Sequence, residues 1–185
     1  MGNRNTVVIV IAALFVGLMV GLLGPKLFGT RPKGTTVVPA QAPVPIPAAE
    51  NTLKINELKR LLERNPNDVG VLVQLGNTYF DSNMYQESIE AYERALALRP
   101  GNPNVLTDLG VMYRRSGRSD EAIARFREAM AVDPNHYQSR MNLGIVLYYD
   151  LNDMDGAREA FEDFLRLVPS GPQADQVRGM LSRMP

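Results

Sequence analysis

A recurring spacing of 34 residues constrains the fold of this chain more than any other feature. Leu75-Gly76, Leu109-Gly110 and Leu143-Gly144 stand 34 and 34 residues apart, and Pro66, Pro100, Pro134 and Pro169 follow at 34, 34 and 35. A fixed period near 34 means stacked helical hairpins, each burying its apolar face against its neighbours. The residue types support that reading. Gly76, Gly110 and Gly144 fall where the two helices of a hairpin come too close for a side chain, and Ala95 and Ala129 do the same between neighbouring helices. Tyr79, Tyr92, Tyr113, Phe126 and Phe161 fill the wider spaces, while each proline stops a second helix and starts the next connection.

Followed residue by residue, the pattern resembles the tetratricopeptide repeat family. The first unit reads Leu72, Leu75, Gly76, Tyr79, Ser88, Tyr92, Ala95, Pro100, and the second Leu106, Leu109, Gly110, Tyr113, Ala122, Phe126, Ala129, Pro134. The third has Arg140 where a large apolar residue is expected, then Leu143, Gly144, Leu147, Ala157, Phe161, Phe164 and Pro169, with one extra residue in its inner turn. The resemblance implies an all-α solenoid with repeats over residues 69–102, 103–136 and 137–171. Residues 50–68 form a flanking helix with Ile55, Leu58, Leu61 and Leu62 on one face. Residues 172–185 form a polar-backed capping helix carrying Val177, Met180, Leu181 and Met184.

The same resemblance implies a concave groove that takes a peptide or protein partner. It is lined by Val73, Asn77 and Phe80 from the first repeat, Thr107, Val111, Arg114 and Arg115 from the second, and Met141, Ile145, Tyr148 and Tyr149 from the third. Gly70, Asp81, Asn104 and Gln138 complete the implied positions. The two arginines favour an acidic ligand. The rival for Tyr148 is burial as core, with the extra residue of the third hairpin turning it into the place that Tyr113 fills one repeat earlier. Some family members hold chaperone C-terminal carboxylates through Lys, Asn, Asn, Lys and Arg. Here those positions are Val73, Asn77, Asp108, Gln138 and Asn142; only Asn77 agrees, and Asp108 repels a carboxylate.

Ahead of the repeats the composition changes. The 20 basic and 20 acidic residues balance overall, yet the first 49 residues hold Arg4, Lys26, Arg31 and Lys33 with no acid. After a tail over residues 1–5, residues 6–24 are uncharged and reach roughly 28 Å as a helix, which matches a bilayer core. A single-pass anchor is expected, the rival being a cleaved secretory signal, which wants a shorter apolar stretch and a small-residue cleavage site. Ala13, Gly17 and Gly21 share one face of that helix, where a second copy could pack closely to make a homodimer. Residues 25–49 carry six prolines and read as an extended spacer. Three basic residues after the anchor push slightly toward cytoplasmic repeats. Resemblance to bacterial N-anchored repeat proteins points to the periplasm instead, and the periplasm is the side favoured here.

The neutral charge balance gives no hint of nucleic-acid binding. With no cysteine and one histidine, thiolate metal sites, disulfides and two-imidazole zinc sites are excluded, and no cofactor is expected. His136, after Pro134-Asn135, reads as a solvated turn residue. The segment from Asp150 to Gly156 has the look of a calcium loop. Aligning Gly156 on the loop glycine leaves Leu151 at the first ligand position, so it reads as the lengthened turn. The expected function is a membrane-anchored scaffold or adaptor without enzymatic activity, working in assembly of an envelope or membrane complex. The alternatives are a homo-oligomeric structural protein and a cytosol-facing receptor.

Overall fold

The computed structural model describes residues 46–185. The tail, the apolar segment with Ala13, Gly17 and Gly21, and most of the spacer lie outside the described residues. Eight helices follow: α1 (Ile46–Arg64), α2 (Val69–Asp81), α3 (Tyr85–Leu98), α4 (Pro103–Arg115), α5 (Ser119–Val132), α6 (Tyr137–Tyr149), α7 (Met154–Leu167) and α8 (Pro172–Leu181). Each packs on the next, giving three hairpins, α2–α3, α4–α5 and α6–α7, with α1 covering one end and α8 the other. Among the described residues no helix is long and apolar enough to cross a membrane.

The first helix begins at Ile46, so the last four residues of the expected spacer, 46–49, are helical. Pro47 sits in the first turn, where a missing N–H breaks no intrahelical bond, and the two alanines after it favour helix. Ile55, Leu58 and Leu62 of α1 are buried beside Leu72, Leu75 and Tyr79 of α2, whereas Leu61, expected on the same face, is exposed. Within each hairpin an aromatic ring of the second helix lies on a glycine of the first. A Cβ added to Gly76 would stand 2.5 Å from the Tyr92 ring, and one added to Gly110 or Gly144 would stand equally close to the ring of Phe126 or Phe161.

Inner turns share one backbone device. Asn83, Gly117 and Asn152 occupy the same place in successive hairpins, and all three have positive φ, at 56°, 78° and 55°. Glycine and asparagine tolerate that conformation best. Asp68, Asn102 and Asp153 cap α2, α4 and α7 by accepting hydrogen bonds from backbone N–H groups of the first turn. Ser88, buried where the other hairpins have Ala122 and Ala157, donates to the Gly76 carbonyl at 2.9 Å. At the far end Ala174, Val177, Met180 and Met184 are buried against the last hairpin, and Arg158 donates to the Pro185 carbonyl at 2.8 Å.

Gly110→Ala is expected to lower stability by about 1–3 kcal/mol through overpacking against Phe126. Gly179→Ala, with nothing within 4 Å of the added carbon, should raise it by about 0.5–1 kcal/mol through helix propensity. Chemical denaturation of the two variants beside wild type checks both signs.

Candidate interaction groove

First helices line the inner side of the stack, since α4 meets α6 as well as its own partner helix. The glycine and ring contacts turn one face of each first helix into its hairpin. The opposite face is left open. Val73, Phe80, Val111, Met141, Ile145 and Tyr148 are half-buried, packed on the core at their bases, while Asn77, Arg115 and Tyr149 are exposed. Tyr148 and Tyr149 meet edge to face with centroids 4.7 Å apart.

One expectation for this face fails, and so does the rival reading of Tyr148. Thr107 is buried, and its hydroxyl is engaged by neighbouring groups, so it offers nothing to a ligand. Tyr148 does not move into the place of Tyr113; Leu147 holds it, buried, because the additional residue is accommodated after the helix, in the turn between Tyr149 and Met154. In that turn Asp150 faces Arg114 and Asp153 caps α7. Among the described residues no cluster of acidic or histidine side chains is arranged to hold a metal ion.

Both arginines are engaged within the stack. Arg114 makes a two-pronged contact with Asp150 one hairpin on, at 2.6 and 3.0 Å, which neutralises its charge. Arg115 donates to the Asn83 side chain at 3.1 Å and lies over the rings of Phe80 and Tyr85, 5.2 and 6.0 Å from their centroids. Neither therefore stands ready for an acidic ligand.

Between α2 and α4 the inner face holds a cavity of about 250 Å³ lined by Asn77, Phe80, Asp81, Tyr92 and Asp108. The Tyr92 hydroxyl donates to Asn77 Oδ1 at 2.8 Å. Burial, with the nearby Asp81 charge added, pushes the Asp108 carboxyl up to about 6.

His136 departs furthest from expectation. It is buried at the joint of the second and third hairpins, where Nδ1 lies 2.6 Å from Ser139 Oγ and Nε2 3.0 Å from Asn104 Oδ1. Thr107 Oγ1 continues the chain, 2.7 Å from Ser139 Oγ and 2.7 Å from the Pro103 carbonyl that accepts its proton. The order of serine, histidine and asparagine has the outline of a catalytic relay, but Ser139 is completely buried and no substrate reaches it. Its role is to join two hairpins by directional bonds. Ser139 is three residues on, but Thr107 and Asn104 come from 29 and 32 residues back, in the preceding hairpin, and it is these that make the histidine a joint. Arg140, at the apolar position of the third repeat, lies near Asp163 at 4.0 Å and reaches the His136 carbonyl.

A stack of helical hairpins with one open apolar and polar inner face defines a repeat scaffold. Two tetratricopeptide repeat models match the chain, over residues 68–135 and 107–172, together more than half of its length. The chain belongs to the tetratricopeptide repeat family. Members of that family are in general scaffolds for protein interaction rather than enzymes. A crystal structure of MamA aligns with a TM-score of 0.64 at 23% identity, over 72% of this chain and 76% of that one. The Sgt2 repeat domain from Aspergillus fumigatus aligns at 0.57 and 28% identity, over 62% and 75%. The first repeat domain of Spaghetti (RPAP3), bound to the HSP90 peptide SRMEEVD, aligns at 0.57 and 24%, over 62% and 90%. No curated protein matches the chain significantly.

Burial lowers the pKa of His136, with Arg140 adding to the effect and Asp133 opposing it. A folded-state value below the unfolded one, near 6.5, means that the stability contribution is complete above that pH and lost as pH falls through the folded value. Asp108 acts with the opposite sign, because its folded-state value is raised. The difference between wild type and His136→Gln therefore isolates the histidine. Melting curves between pH 7.5 and 5 should converge at the acid end if the buried imidazole is the cause.

Proposed function

We propose that this chain is a membrane-tethered adaptor that holds an extended segment of a protein partner along its inner face and has no catalytic activity of its own. One observation carries the reading. Val73, Val111, Met141 and Ile145 form an apolar row across three hairpins that remains half-open to solvent. Tyr149 at its end adds a large rigid contact surface with little rotamer entropy to lose. The Spaghetti repeat domain, of similar fold, carries a bound peptide, which supports a peptide as the kind of ligand proposed here. The clamp positions at Val73, Asp108, Gln138 and Asn142 argue against the same acidic tail as the ligand here.

The tether is residues 6–24, uncharged and of bilayer length, with the spacer holding the repeats clear of the headgroups. The function proposed for the tethered form is assembly of an envelope complex, with the repeats in the periplasm. The face formed by Ala13, Gly17 and Gly21 would let two tethers pair, which is the basis of a homodimeric form.

Two measurements test these statements. The full chain should stay in the membrane pellet through a carbonate wash; release would remove the tether. A photo-crosslinking residue placed at Val111 or Ile145 should give a discrete adduct in membranes, whereas one at Arg127, exposed on a second helix, should not. Adducts only at Arg127 would move the binding surface to the outer side.

A further inference from the structure

We infer that the pocket between α2 and α4 receives one basic side chain, lysine or arginine, of the peptide lying in the groove. The inference rests on the groove reading above and adds to it the chemistry of the ligand. Asp81 and Asp108 both line this cavity, and neither has an ion-pair partner among the described residues. The groove cation that could have met them, Arg115, is held instead by Asn83 and the ring of Phe80, and Arg114 is matched by Asp150.

Asp108 is half-buried beside a second carboxylate without compensation, and its raised pKa reflects that cost. An arriving cation would stabilise both charges in a partly desolvated setting, where the attraction is stronger than in open water. The walls suit the rest of such a side chain. Phe80 and Tyr92 offer aromatic surface to an aliphatic stem, and the Tyr92 hydroxyl is already bonded to Asn77. A volume of about 250 Å³ falls below the usual range for whole small molecules, roughly 300–1,000 Å³, and fits a single long side chain. One repeat further on, Arg115 and Asn142 stand where Asp81 and Asp108 do here. The two acids, one from each of the first two repeats, therefore line the first joint without a copy at the next, and one fixed basic anchor would set the register of the bound peptide.

The test pans displayed random peptides of about 12 residues against the full chain in detergent micelles. The selected peptides are then measured by fluorescence anisotropy on wild type, Asp81→Asn, Asp108→Asn and Val111→Asp. The expected result is a consensus with one lysine or arginine, and binding about tenfold weaker in each asparagine variant. The melting temperature of Asp108→Asn should equal or exceed that of wild type, because an unpaired charge has been removed from a partly buried site, and that of Asp81→Asn, at an exposed position, should stay close to wild type. Peptides without a basic residue, or full binding to Asp108→Asn combined with loss on Val111→Asp, would overturn the basic pocket and leave the groove reading intact. Selected peptides indifferent to Val111→Asp, or no selection at all, would overturn the groove reading as well.

Discussion

An aromatic ring lying on a bare glycine Cα sets the distance between the two helices of every hairpin, and the rest of the molecule follows from that distance. Gly76 with Tyr92, Gly110 with Phe126 and Gly144 with Phe161 repeat the contact with the same closeness. Because the rings fill the interior of each hairpin, the first helices can lie side by side along the inner edge. Their outward faces then align into one continuous surface. A methyl group at any of the three glycines would have to displace a fully buried ring, and dense packing leaves it nowhere to go.

This constraint is also why the architecture could be read from the chain. The glycine and its ring are separated by 16 residues in the first two hairpins and by 17 in the third, so the contact leaves a mark at fixed offsets. The extra residue was visible for the same reason, and its location in the turn is explained by Asn152 taking the left-handed conformation that Asn83 and Gly117 take earlier. The flanking helix starts inside the expected spacer, at Ile46, because a first turn accepts Pro47. What could not be read were contacts between hairpins. His136 bonds to Thr107 and Asn104 of the preceding hairpin, and Arg114 is neutralised by Asp150, 36 residues on. No pattern within one repeat specifies either pairing.

The groove therefore has a different electrostatic character from the one its arginines imply. Counting charges along the inner positions gives two cations available for an acidic partner. Pairing them within the stack leaves Asp81 and Asp108, at the joint of the first two repeats, as the open charges. Such reversals are expected wherever long side chains can reach a neighbouring unit, since arginine spans the separation of adjacent hairpins easily. The surface potential of a repeat protein is a property of its neighbours as much as of its own residues.

The polar chain from Asn104 through His136 and Ser139 to Thr107 bears on how the solenoid bends. Apolar surfaces can slide by a fraction of an ångström at little cost, whereas hydrogen bonds tolerate little change of angle. The joint between the second and third hairpins is pinned by buried directional bonds, while the cross-joint polar contacts from Arg115 to Asn83 and from Tyr113 to Glu93 lie nearer the surface at the joint before it. Directional bonds therefore fix the angle between the second and third hairpins from within, while the joint that Asp81 and Asp108 flank relies on polar contacts nearer the surface.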